Sequence, residues 1–158
     1  MKNQRGFATL EMILVILIIA VLSTIVLPKA ARMVDTVRLD YEMKIFLSTL
    51  DFAKSLNQNA FYQKEIFKDV NLVGKPAAIK VNLETTKYSI VRDLQTTAVR
   101  IHQLPKDFSV SWENGLTNVV YFSRNNNGHV ILTSPQNSNR YIIFNSVGRW
   151  RGDITAPK

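Results

Sequence analysis

The sequence predicts an α+β protein: one long N-terminal helix, half membrane-spanning and half stem, packed on a C-terminal antiparallel β-rich head. Three observations carry this. Met12 to Val26 reads MILVILIIAVLSTIV, an apolar density that no other stretch approaches. From Lys29 to Val73 there is no glycine or proline. After Val73-Gly74-Lys75-Pro76, short alternating segments are separated by turn residues.

The first element is the apolar one. Phe7 to Leu27 covers about 32 Å at ~1.5 Å per residue, enough for a hydrocarbon core of ~30 Å. Ser23 and Thr24 can bond back to carbonyls of their own helix. Pro28 closes the run and removes a backbone donor, so a bend is expected there. Beyond it, Val34, Val37, Tyr41, Ile45, Ala53, Leu56 and Ala60 recur at spacings near three or four, with charges on other faces. That pattern reads as an amphipathic stem with those residues against the head, running to about Gln58, with Asn57 and Asn59 as terminators.

In the head, Ile79-Val81-Leu83 alternate, and Thr85-Thr86 leads to Tyr88 and Ile90. Further strands are expected at 99–103, 108–112, 119–122, 130–133 and 141–144. Pro105-Lys106-Asp107, Asn114-Gly115, Asn125 to Gly128 and Ser134-Pro135 supply the turns. Seven short strands imply antiparallel sheet with the stem covering one face. The segments are therefore residues 1–6, 7–28, 29–60 and 61–158.

Composition excludes several chemistries. With no cysteine there is no disulfide, thiolate metal site or cysteine nucleophile. His102 and His129 lack any HxxxH or HExxH context, and no GxGxxG, P-loop or EF-hand spacing occurs. No catalytic group, metal or cofactor is expected, and the chain does not read as an enzyme. Charge is uneven: the net +8 includes Lys2 and Arg5 in residues 1–6. From Arg124 onward, Arg124, Arg140, Arg149, Arg151 and Lys158 face Asp153 alone. A basic end suits an anionic partner or a solvated surface.

The N-terminus has one anomaly, Glu11 inside the apolar run. A carboxylate at a bilayer centre costs roughly 2.5 kcal/mol or more, and an ordinary signal peptide gains nothing from one. Pro28-Lys29-Ala30 is also a poor signal-peptidase site. Gly6-Phe7 with Glu11 at the fifth place of Phe7-Ala8-Thr9-Leu10-Glu11 resembles the class III signal of type IV pilins and type II secretion pseudopilins. The order inside the string differs from the FTLIE-like order of many members, while glycine, phenylalanine and glutamate keep their places.

The resemblance implies a cytoplasmic six-residue leader, cleavage between Gly6 and Phe7 by a prepilin peptidase, and N-methylation of Phe7. It also implies a single-pass anchor in the inner membrane with the head outside the cytoplasm, and then assembly with other pilins or pseudopilins. Glu11 would meet the new α-amine of a neighbouring subunit, turning two costly charges into one pair.

Near the C-terminus, Gly148-Arg149-Trp150-Arg151 resembles the GRxR signature of FimT- and GspH-like minor pilins. In the FimT branch that signature is associated with DNA binding during natural transformation. Tryptophan stands where a small aliphatic residue is more usual. In an extended chain Arg149 and Arg151 share one side, about 6–7 Å apart, with Trp150 turned into the head or onto a base. Arg140 and Lys158 are expected as supports. The alternative is a last strand with Trp150 in the core and two solvated arginines. Three roles follow: a minor pilin of a type IV or competence pilus that touches DNA, a GspH-like tip pseudopilin, or a major structural subunit. The missing cysteine pair disfavours the third.

Overall fold

The structure, a computed structural model, describes residues 4–59, 78–92, 98–113, 118–122, 128–145 and 149–157. It is one long helix followed by two antiparallel sheets. Helix α1 (Gln4–Gln58) is followed by β1 (Ile79–Glu84), β2 (Lys87–Arg92), β3 (Ala98–Gln103), β4 (Ser109–Glu113), β5 (Val119–Tyr121), β6 (Gly128–Thr133), β7 (Asn139–Phe144) and β8 (Trp150–Asp153). The strands form two four-stranded sheets, ordered β3-β2-β1-β5 and β4-β6-β7-β8. The expected turns at Asn114-Gly115 and Asn125 to Asn127 lie outside the described residues, as does 60–77.

Helix α1 is continuous through Pro28 and ends at Gln58. Ser23 Oγ donates to Ile19 O and Thr24 Oγ1 to Val21 O, both at 2.7 Å. Such bonds occupy hydroxyls that would otherwise stand bare in an apolar setting. The large apolar side chains from Phe7 to Leu27 are all exposed, Val15 and Ile18 least at 48%. This helix is long and apolar enough to cross a membrane.

Above Pro28 the stem differs from the sequence expectation. Val34, Val37 and Tyr41 are exposed, together with Met33. The expected Ala53 and Leu56 are buried and Ile45 packs against the core, while Ala60 lies outside the described residues; the rest of the head-facing stripe is Asp35, Leu39, Glu42, Phe46, Thr49 and Leu50. The helix carries two apolar stripes. The one against the head is diluted by three polar residues, so periodicity alone favours the other. Two of those polar residues have partners, whereas Asp35 Oδ2 is buried without a hydrogen bond. Glu42 is buried and bonds His102 Nε2 at 2.8 Å, linking edge strand β3 to the stem. Thr49 Oγ1 donates to Ile45 O.

Sheet pairing follows local turn chemistry. Glu84 pairs with Lys87 across the two-residue Thr85-Thr86 turn. Asp107 and Asn137 adopt the left-handed conformation (φ 66° and 58°) that Asp and Asn tolerate better than most residues. One turn carbonyl joins the sheets, Val110 N of β4 donating to Thr85 O, while Leu104 N, just past β3, donates to Thr86 O within the first sheet. One core results, in which Leu39, Phe46, Leu50, Ala53 and Leu56 of α1 meet Val81, Ile90 and Val120 of one sheet and Val130, Leu132 and Ile142 of the other. Phe46 packs edge-on to Tyr88 at 4.7 Å. The Tyr88 hydroxyl is buried without a completed hydrogen bond. Burial holds its phenol well above the ordinary range, against a weaker downward pull from neighbouring Thr49.

Arg140 lies at the helix–sheet junction. Its side chain is buried, its Nε donates to Asp40 Oδ1 and its guanidinium also bonds Asn139 O. Asp40 is partly exposed, so water screens the pair and reduces the ~3–5 kcal/mol typical of breaking a fully buried one. Asp40→Ala, which strands the buried cation, is expected to cost roughly 1–3 kcal/mol. Arg140→Met, which removes the charge at similar length, should cost less. Denaturant unfolding of the full chain in detergent measures both; equal losses would show that packing rather than charge governs the site.

Candidate functional site

Strand β8 pairs antiparallel with β7, placing Trp150 opposite Phe144, Arg151 opposite Ile143 and Gly152 opposite Ile142. Asn145 closes this hairpin from both sides. Its N–H donates to Arg149 O at 3.0 Å, and its Oδ1 accepts the Arg149 N–H at 2.8 Å. That pair of hydrogen bonds sets the backbone from which the Arg149 side chain leaves.

Alternation along β8 then divides its residues. Trp150 turns toward the head, half-buried, with Phe122 at 5.7 Å edge-on, Phe144 at 6.2 Å and Lys54 Nζ 4.9 Å above the ring. Gly152 also turns inward. A Cβ there would stand 2.7 Å from Met43 Sδ and 3.4 Å from Leu47 Cδ1, so the absent side chain is what lets β8 lie against α1. Gly152→Val is expected to cost about 1–3 kcal/mol by overpacking. Gly152→Ala should cost less, because the thioether of Met43 can swing aside. Thermal unfolding of the full chain in detergent compares them, and no loss for valine would show that β8 is free to move off the helix.

On the outward side Arg149 and Arg151 are both exposed. They line one groove of about 400 Å³ with Ile143, Asn145 and Trp150. The sequence-predicted pair is therefore brought together on one face. Arg140 is not: its guanidinium is buried and spent on Asp40, so it adds no exposed charge to the groove. Gly148 and Lys158 lie outside the described residues. Sequence reasoning missed Ile143, Asn145 and Lys54. Asn145 had a signal, an asparagine at a strand end, where its side chain bonds backbone readily.

The charge of the groove is tempered by Asp153, whose Oδ2 stands 3.8 Å from Arg151. The Thr155 N–H, then its hydroxyl, bond the Asp153 carboxylate and hold it below the usual carboxylate range, with a smaller contribution from Arg151. Asp153 thus stays ionised through neutral and mildly acid pH. Because its folded value is the lower one, whatever it adds to stability is complete above the ordinary range and fades as pH falls through the lowered value.

The site lies far from the membrane end. Lys54, over Trp150, is 27 residues past Leu27, or about 40 Å along the helix at ~1.5 Å each. At the other end, Glu11 is exposed among apolar neighbours. Its helical neighbours at three and four positions, Phe7, Ala8, Leu14 and Val15, offer no counter-charge. The Gly6–Phe7 bond falls in the first turn of α1, where the backbone N–H groups have no intrahelical partner and unwinding costs least. Among the described residues no group of three or more His, Asp or Glu side chains is placed to hold a metal ion. Set against protein-family models, curated proteins and solved structures, the chain finds no match.

Proposed function

We propose that this chain is a minor pilin-type subunit that is cut between Gly6 and Phe7, methylated on the new amine, and built into a type IV or competence pilus. Before assembly it stands in the inner membrane on a single span, head outside the cytoplasm. It is a structural and binding subunit in this reading, not an enzyme. The observation that carries the proposal is the uncovered helix: apolar side chains are exposed from Phe7 to Leu27, with Glu11 the one charge among them. Lipid answers for the lower part. The exposed stripe of Met33, Val34, Val37 and Tyr41 continues above it on a face the head leaves open, as a helix that packs against other subunits requires.

The groove of Arg149 and Arg151 suits DNA phosphates. Two guanidiniums on one face offer charge-assisted forks to neighbouring phosphates. With Trp150 already engaged by Lys54 and the Phe pair, backbone contact is favoured over base stacking. A second reading, a GspH-like tip pseudopilin of a type II secretion system, is supported by the packing of Trp150 and Gly152, which gives β8 a structural role regardless of DNA.

Intact-mass and N-terminal analysis of the chain recovered from membranes tests the common core of both readings. The expected mature terminus is a methylated Phe7. A terminus at Met1, or one beyond Leu27 from ordinary signal-peptide cleavage, would overturn them.

A further inference from the structure

Where the apolar segment ends, a cleft of about 580 Å³ opens between α1 and the β6–β7 turn, lined by Pro28, Ala31, Arg32, Thr36, Gln136 and Ser138. Its height is set by the helix. Pro28 directly follows Leu27, the last residue of the apolar run, so the cleft stands where hydrocarbon gives way to headgroups.

Its chemistry is cationic and polar. Arg32 is exposed and no ion pair holds it among the described residues; its carbonyl accepts the Thr36 hydroxyl at 2.8 Å. Lys29 is exposed three residues earlier, a neighbour on the helix surface. Between Met12 and Val34 there is no acidic residue, and the next one, Asp35, is buried and does not line the cleft. The opposite wall is pre-formed. Ser134 N donates to Ser138 O at 2.9 Å and Ser138 N to Ser134 Oγ at 3.1 Å, which fixes the turn that presents Gln136 and Ser138.

The charges are also on the unexpected side. Basic residues next to a span favour the cytoplasmic flank, whereas Lys29 and Arg32 flank the end that the head occupies. A counter-ion at that level resolves the conflict, and the bilayer surface offers one in the phosphates of anionic lipids.

We propose that this cleft seats the phosphate of an anionic phospholipid headgroup. Arg32 forks onto its oxygens, Lys29 adds a second cation, and Gln136 and Ser138 donate hydrogen bonds. The lipid then holds the head at a defined height and rotation on the bilayer before the chain leaves it. This rests on the reading of Phe7–Leu27 as a membrane span.

The test uses the full chain in mixed micelles holding equal phosphatidylglycerol and phosphatidylcholine, with retained lipid counted by native mass spectrometry. One phosphatidylglycerol should be kept in roughly tenfold or greater preference, as about 1 kcal/mol per basic residue implies. Lys29→Gln/Arg32→Gln should lose that preference, while Arg38→Gln, which removes a charge away from the cleft, should keep it. Equal loss in Arg38→Gln, or none in the double variant, would overturn the proposal in favour of diffuse attraction. Displacement of the lipid by inorganic phosphate at millimolar level would overturn the lipid as the ligand. The chain has no cysteine, so a fluorophore on Val15→Cys in vesicles, read with an acyl-chain quencher, tests the span separately. No quenching there would remove the span and the headgroup site together; quenching with no lipid preference would remove the site alone.

Discussion

A chain carrying Glu11→Ala is expected to lose its leader normally and to fail to enter filaments. Alanine removes a carboxylate whose helical neighbours are all apolar, so the lone span should insert at least as well as before. A charged side chain at the centre of a bilayer costs roughly 2.5 kcal/mol or more. Glu11, four residues from Phe7, bears the part of that cost set by its depth, and no side chain three or four positions away on its helix carries a counter-charge. In the proposed filament the Phe7 amine of a neighbour would neutralise Glu11. Without the carboxylate that amine has no partner, and the term favouring assembly becomes one opposing it. Membrane and sheared-filament fractions, probed for mature protein, are the measurement. Wild-type levels in the filament fraction would sink the charge-pair account. Glu11→Gln should also fail, because it keeps the shape and loses the charge.

The second large effect concerns the outward face of β8. Arg149→Ala/Arg151→Ala should sharply weaken binding of duplex DNA at low salt while leaving the melting temperature nearly unchanged, since both side chains are exposed. Losing two phosphate contacts should flatten the dependence of log K on log salt by about 1.8. Asp153→Asn acts in the other direction. It lifts a negative charge 3.8 Å from Arg151, so binding should tighten. Mobility shifts across a salt series check all three. Equal binding by wild type and the double variant, or no binding by wild type at ~50 mM salt, would take DNA out of the account and leave β8 as a structural strand.

Much of the fold was legible because it is written locally. The helix limit at Gln58 followed from an unbroken stretch without glycine or proline and a cluster of asparagines. The seven expected strands lie within two residues of β1 to β7, because alternation and turn residues are properties of adjacent positions. Strand β8 was visible only as one of two options for the GRxR segment. The association of Arg149 with Arg151 was legible for the same local reason, the two-residue period of an extended chain.

Other features had no local signature. The strands divide into two sheets, and the division depends on which distant strands pair. Arg140 counted as part of a basic end, yet its charge is spent on Asp40, one hundred residues away in sequence. Gly152 carried no hint that Met43 would press against it.

The sequence by itself determined the apolar helix, its lone glutamate and its basic end, because length, hydropathy and charge are carried by the residues themselves. Only the tertiary structure decided which stripe of the stem is covered. Asp35, Glu42 and Thr49 dilute the covered stripe with polar groups. It is buried because Leu39, Phe46, Leu50, Ala53 and Leu56 join the core of both sheets, with Glu42 bonded to His102 of the head. Val34, Val37 and Tyr41, which periodicity places against the head, are left exposed, while Ala53 and Leu56 of the same expected set are buried.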